Sequence, residues 1–294
     1  MKKKDTLYPY LYILPALVLI IFIFLIPMIY SIVISVTNWD GLSKNIQFIG
    51  IQNYIDMLHE PVIKEVLCNN FIYFIEIVIF QNLIALIVAE LLRESFRGKN
   101  FFRAVLFLPT VICTVAVGFI WNLLLDPTAG YIPALFERIG SESLASVIWL
   151  GNVKTAIHTI SAINVWQWAG QTMVIYLAGI ASIDEGLYEA AKIDGAGHFQ
   201  MFRQVTLPLL APSITINIVT STIGTLKIFD LPFVMTKGGP GHSSESLAMT
   251  IYSNSFNYSK VGYGTAISVV LFVFVLIVSI FQMRMLRKRE DNIT

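Results

Sequence analysis

Leu187-Tyr188-Glu189-Ala190-Ala191-Lys192-Ile193-Asp194-Gly195-Ala196-Gly197-His198, continuing through Phe202 to Leu207-Pro208, is a long polar interruption in an overwhelmingly apolar chain. Residues 183–193 are largely helix-competent, with Glu185 and Glu189 four apart on one side and Leu187 and Ala191 on another. Asp194-Gly195-Ala196-Gly197 then permits a sharp turn, because glycine tolerates positive φ. Phe199, Phe202 and Val205 mark the apolar side of a second short helix, and Pro208 stands where the next long helix can begin. The expected product is two short helices at a bend. The exposed small side chains of Ala190 and Ala191 make it a knob suited to another protein's cleft.

The surrounding composition sets the class. Hydrophobic residues make up 56% of the 294 positions and charged residues only 13%, which is far from a soluble domain. The apolar residues come in long runs, so the chain is expected to be an all-α integral membrane protein. A spanning helix needs about 20 mostly apolar residues, and residues 10–36, 66–92, 102–125, 156–183, 207–235 and 261–283 meet that length. Lys2, Lys3 and Lys4 precede the first run, but that run is too long for a signal peptide and shows no small-residue cleavage site, so a retained helix is expected. A net charge of +1 argues against nucleic acid as a partner. Cys68 and Cys113 lack metal-ligand spacing, and two buried thiols are the expected outcome.

Positive charges set the orientation. Lys2, Lys3, Lys4, Arg93, Arg97, Lys99, Arg103, Lys192, Arg203, Arg284, Arg287, Lys288 and Arg289 fall in one set of connections. Lys44, Lys64, Arg138, Lys154, Lys237 and Lys260 fall in the other. The positive-inside rule puts the first set, both termini and the Glu189 loop in the cytoplasm.

Glu189-Ala190-Ala191, Asp194-Gly195-Ala196 and Leu207-Pro208 together resemble the cytoplasmic signature loop of permease subunits in binding-protein-dependent ABC importers. The resemblance covers nearly the whole chain and is closest to the sugar-importer branch, of the maltose and glycerol-phosphate type. Arg97-Gly98-Lys99-Asn100-Phe101-Phe102-Arg103, Leu108-Pro109, Phe229-Asp230 and Thr236-Lys237-Gly238-Gly239-Pro240 fit the same branch. Val205 departs from it slightly, since the family more often has isoleucine there.

The resemblance implies a type I importer permease fold of six transmembrane helices. Residues 1–65 would form a peripheral helix with an external loop, and 66–294 a core with a coupling loop at about 184–206. It implies that Glu189 makes a charged contact with a separate ATPase and that Ala190 and Ala191 allow close approach. Asp194 and Gly195 then form the bend, and Phe202 anchors the loop to the helix bundle. The implied partners are a second permease subunit, two copies of an ATPase that binds ATP and magnesium, an extracytoplasmic sugar-binding protein, the carbohydrate, and lipid of the inner membrane. Gly238-Gly239-Pro240-Gly241 lacks the Gly-Lys-Ser/Thr ending of a phosphate-binding loop, so the chain itself is expected to be neither an ATPase nor a cofactor protein.

Polar side chains within a bilayer are costly and turn toward other helices or a watery cavity. Ser161, Asn164, Gln167 and Gln171 share one face of the fourth run, with Trp168 in the same arc and Trp166 pointing away. Ser213, Asn217, Thr220, Gly224 and Lys227 repeat the pattern on the fifth run, with Ser221 alongside. Amides, hydroxyls and an indole suit a sugar's hydroxyls and its C–H face, so Asn164, Gln167, Trp168, Gln171, Asn217, Thr220, Ser221 and Lys227 are the expected substrate path. Helix-to-helix hydrogen bonding is the competing role for each. Lys227 is expected to pair with Asp230, one turn away, or less favourably with Glu76, and His158 is expected to stand alone. No catalytic or metal constellation is evident. The competing class is an ion-coupled secondary transporter, which would depend on Glu76 as its intramembrane carboxylate.

Overall fold

The computed structural model describes residues 8–94 and 96–290. Lys2, Lys3, Lys4 and the chain ends, used above for orientation, lie outside the described residues. Among those described, the chain is almost wholly helical and holds no strand, only an isolated antiparallel bridge between Thr37 and Phe48.

In chain order we label α1 (Tyr12–Ser35), α2 (Gln52–His59), α3 (Pro61–Leu91), α4 (Lys99–Val111), α5 (Thr114–Leu124), α6 (Tyr131–Arg138) and α7 (Ala156–Ala181). There follow α8 (Glu185–Ile193), α9 (His198–Met201), α10 (Ala211–Leu226), α11 (Asp230–Met235), α12 (Leu247–Tyr252) and α13 (Val261–Glu290). Four helical stretches are long and apolar enough to cross a membrane: α1, α3, α10 with α11, and α13. The pair α4 and α5 makes a fifth if the two halves are one span. The 26-residue α7 is long enough but less apolar, because Asn164, Gln167, Gln171 and His158 interrupt it.

Two expected spans are not continuous. Residues 102–125 divide at Ile112-Cys113, where both residues are extended and α5 turns 97° from α4. Pro109 removes a backbone donor in the last turn of α4, and Gln167, a buried amide from α7, donates to Ile112 O at the break. Residues 207–235 divide at Lys227-Ile228-Phe229, between the end of α10 and the start of α11.

The chain packs as two units. One comprises residues 8–63 with Thr250–Val273. There, Asn53 Nδ2 donates to Ser35 O and Thr37 O, both at 2.8 Å, and the Tyr54 hydroxyl bonds the Ser35 hydroxyl at 2.7 Å. Tyr263 at the start of α13 donates its hydroxyl to Glu60, and Gly262 N bonds Trp39 O at 2.8 Å.

The other unit comprises Lys64–Met249 with residues 274–290. Its core has two parts: Tyr73, Ile77, Val117, Ile160, Leu231 and Met235 near one end, and Ala85, Ala89, Met173, Tyr176, Ile180 and Leu210 near the other. α4 and α7 touch so closely that a Cβ on Gly170 would lie 2.2 Å from Leu106 O, which only glycine allows. Cys68 and Cys113, expected to be buried, are both exposed: Cys68 sits on an outward face of α3 and Cys113 at the α4–α5 break.

Candidate functional site

Two places in the second unit carry the expected residues. The first is a bend on the surface. Asp184 caps α8 by accepting a hydrogen bond from Gly186 N at 2.9 Å, and Glu185 and Lys192 sit at the helix ends where their charges oppose the dipole. α8 ends in a left-handed glycine: Gly195 has φ +79, and Ala196 N reaches back to Ala191 O at 2.9 Å. The chain then re-enters helix at α9, passes through a π-helical turn at Phe202–Thr206, and continues through Leu207–Leu209 into α10. The expected bend is therefore present.

Glu189, Ala190, Asp194 and Gly195 are exposed, and Ala191 is half-buried. Ile193 and Phe199 are 86% and 75% exposed, an unusual state for such side chains on an otherwise polar turn. Phe202 is half-buried, and it lines a cavity of about 460 Å³ with Ile87, Leu91 and Phe199 at the end of α3. The bend is tied to that end through Arg93 and Glu94, and is braced internally by Tyr188 and Thr206. The Arg93 guanidinium lies 4.4 Å over the Tyr188 ring, the Tyr188 hydroxyl bonds Thr206 Oγ1 at 3.1 Å, and His198 Nδ1 approaches Glu94 Oε1 at 3.8 Å.

The second place is a cavity of about 320 Å³ between α3, α7, α10 and α11. Its wall includes Asn164, Trp168, Gln171, Asn217, Thr220, Ser221 and Lys227, with Phe229, Asp230, Gln81, Thr114 and Thr172 beside them. Both helix breaks open onto it, through Thr114 on one side and residues 227–230 on the other. Each break is bridged by a buried amide. Gln167 Nε2 donates to Ile112 O at 3.1 Å and Thr114 Oγ1 at 3.2 Å, and Thr110 Oγ1 returns a bond to Gln167 O at 2.8 Å. Asn70 Nδ2 donates to Leu226 O at 3.0 Å, its Oδ1 accepts from Leu247 N at 2.8 Å, and Ser246 Oγ donates to Ile228 O at 2.6 Å. Backbone carbonyls at the breaks are thus satisfied by side chains from outside the broken helices.

Gln167 itself is fully buried and is not part of the cavity wall. Asn217 and Ser221 reach the wall while bonding helix to helix: Asn217 Nδ2 donates to Thr172 O at 3.2 Å, and Asn82 Nδ2 donates to Ser221 Oγ at 3.1 Å. Gln171, Thr220 and Lys227 are exposed there, while Asn164 and Trp168 are half-buried.

Two expectations about charge are corrected. Among the described residues, Lys227 forms no ion pair with Asp230 or Glu76, because the helix ends at Leu226 and the i,i+3 register is lost at Ile228 and Phe229. Glu76 instead meets His158, whose Nδ1 lies 2.5 Å from its Oε1, so His158 does not stand alone. That pair lines a separate, more apolar cavity of about 590 Å³ with Trp166. Gln81, Thr114 and Thr172 are wall residues that the two stripes omitted. Gln81-Asn82, a polar doublet inside an apolar run, was the available signal.

Residues 81–291 match the family described as binding-protein-dependent transport system inner membrane component. The chain is 32% identical over 294 residues to "Probable ABC transporter permease protein YurN" of Bacillus subtilis, covering 99% of this chain and 100% of that protein. It is 30% identical over 289 residues to "Probable starch degradation products transport system permease protein AmyD" of Thermoanaerobacterium thermosulfurigenes, covering 98% of this chain and 96% of that one. A chain of a bacterial alginate ABC transporter, solved in complex with an alginate pentasaccharide-bound periplasmic protein, has the same fold. Its TM-score is 0.86 at 22% identity, over 98% of this chain and 96% of that one.

Proposed function

Because this chain belongs to the family of binding-protein-dependent transport system inner membrane components, we infer that it is the permease subunit of an ATP-driven carbohydrate importer. It is a multi-pass protein of the cell membrane. Its six spans are α1, α3, the α4–α5 pair, α7, α10 with α11, and α13, with both termini and the α8–α9 bend on the cytoplasmic side. Arg93, Arg97, Lys99 and Arg103 share that side with the bend, which supports the assignment. The division into a peripheral 1–65 segment and a 66–294 core is retained as part of this reading.

One observation carries the substrate path: seven of the eight residues expected from sequence line a single cavity, together with the ends of two broken helices. Asn164, Gln171, Thr220 and Lys227 offer hydrogen bonds to sugar hydroxyls, and Trp168 and Phe229 offer aromatic surface to the C–H face. Discontinuous helices that line a polar site are a recurring way to hold substrate midway across a membrane.

The mechanism is alternating access. A binding protein delivers the sugar from outside, two ATPase subunits holding ATP and magnesium close on the α8–α9 bend and its counterpart on a second permease, and the helices rock about the cavity. This chain carries no cofactor and performs no catalysis. Glu189 and Asp194 present negative charge to the ATPase, Ala190 and Ala191 admit it closely, and Phe202 ties the bend to α3.

The ion-coupled alternative gains no support, since Glu76 faces His158 and a different cavity. Uptake into vesicles, measured with the chain and its co-purifying subunits, tests the reading. Uptake should require ATP and should fall about tenfold in Trp168→Ala, the loss expected for one good aromatic contact of roughly 1.4 kcal/mol. Uptake that ignores ATP and collapses with the ion gradient would overturn it.

A further inference from the structure

The short helix α2 has three distinct faces. Asn53 and Met57 are buried, and Asn53 fixes the helix to the end of α1 through Ser35 O and Thr37 O. Roughly 100° round the helix, Gln52, Asp56 and His59 form an exposed polar edge, with Gln52 Nε2 donating to Asp56 Oδ1 at 2.7 Å. The remaining face is apolar and open. Ile51, Ile55 and Leu58, spaced four and three, are 66%, 39% and 69% exposed. Ile55 N bonds Ile51 O at 3.1 Å, so Ile51 shares the helical register and the three side chains form one stripe.

The position of α2 says what covers that stripe. Three helices of spanning length and apolarity have an end beside it. α1 stops at Ser35, which bonds both Asn53 and Tyr54. α3 starts at Pro61, with Glu60 alone separating it from α2. α13 starts at Val261, and its Tyr263 donates to Glu60. With three such helix ends gathered beside it, α2 stands where the edge of a hydrocarbon layer crossed by α1 would lie.

We propose that α2 lies flat in the headgroup layer of this leaflet, with Ile51, Ile55 and Leu58 in the acyl boundary, Gln52, Asp56 and His59 toward water, and Asn53 and Met57 toward protein. Three faces meet three media. An apolar stripe left in water keeps the full hydrophobic cost of its exposed surface. Seated in the interface, the same stripe holds the connection between two spans against the membrane.

A fluorophore reports the answer. Ile55→Cys, Leu58→Cys and His59→Cys are each made in a chain carrying Cys68→Ala and Cys113→Ala, labelled with nitrobenzoxadiazole, and reconstituted with co-purifying subunits into phosphatidylcholine–phosphatidylglycerol vesicles. Doxyl-labelled phospholipid should quench the labels at 55 and 58 about threefold more than the label at 59, and aqueous iodide should show the reverse order. Equal iodide quenching at all three positions, with none from the lipid, would overturn the proposal. So would labels at 55 and 58 that become shielded only when a soluble binding protein is added, because the stripe would then be a protein-docking face.

Discussion

The α8–α9 bend and the cavity between the broken helices are both polar interruptions of an apolar chain, yet they are built in opposite ways. At the bend, large apolar side chains such as Ile193 and Phe199 stand in the open, and a few contacts through Tyr188, Phe202 and His198 hold the element. Beside the cavity, the amides that pin the two helix breaks are buried and bonded across helices. Gln167 and Asn70 each bridge groups more than 50 residues away in sequence. On the proposed function, the contrast separates where a partner's energy would enter from where it would be used. An exposed, lightly tethered element can be gripped, and a break pinned by satisfied amides can hold a cavity without collapsing.

The largest effect expected is at the bend. Gly195→Pro demands φ near −65° where the chain has +79, and Glu189→Lys reverses an exposed charge. Either variant should reach the membrane at normal abundance but lose about 100-fold in ATP-driven uptake, corresponding to about 2.7 kcal/mol of lost coupling. Near-normal uptake by both would erase the difference between the two regions.

Next comes the amide bridge. Gln167→Ala leaves Ile112 O and Thr114 without their partner and should destabilise the detergent-solubilised protein by about 1–3 kcal/mol in denaturant unfolding. Gln171→Ala, exposed at the cavity wall, should change stability by less than about 0.5 kcal/mol while weakening substrate binding. Equal destabilisation by the two would mean that no division exists between residues that build the cavity and residues that face into it.

A smaller change is expected where the bend meets α3. Arg93→Leu removes the guanidinium from the Tyr188 ring and should cost about 1 kcal/mol, read as faster proteolysis within residues 184–206. Unchanged proteolysis would place the tether elsewhere.

The smallest effect belongs to a turn outside both regions. The Thr128 hydroxyl, then the Ala129 and Thr128 backbone N–H groups, hold the Asp126 carboxyl below its ordinary range. A depressed carboxylate contributes stability that is complete above the usual carboxylate range and is lost as pH falls through the lowered value. Asp126→Asn should therefore alter stability slightly at neutral pH and flatten the acid side of a stability–pH curve. No change at either pH would remove the turn as a contributor.

These regions also differed in how far the sequence revealed them. The bend was legible because its information is local: the capping Asp184, the charges of α8, Gly195 at the left-handed position and Pro208 at the entry to the next helix lie within 25 residues. The stripes of α7 and α10 were legible by their helical spacing. What remained hidden was non-local. Leu108-Pro109-Thr110-Val111-Ile112-Cys113 reads as one apolar run, and only the Gln167 amide, arriving from another helix, shows why the chain bends there. For the same reason Gln167 shared a sequence stripe with Gln171 but not its surroundings. Lys227 lost its expected partner once the helix ended beneath it, and Glu76 found His158 across 82 positions.

The central claim is that the α8–α9 bend is held by a separate ATPase. Ala190→Cys, in a chain with Cys68→Ala and Cys113→Ala, tests it by photocrosslinking in the purified complex through a benzophenone maleimide attached at position 190. The account predicts a crosslinked band between this chain and the ATPase subunit, whose yield changes when ATP is added. A complex without an ATPase, or a cysteine at 190 equally open to a water-soluble maleimide with and without that subunit, would contradict it.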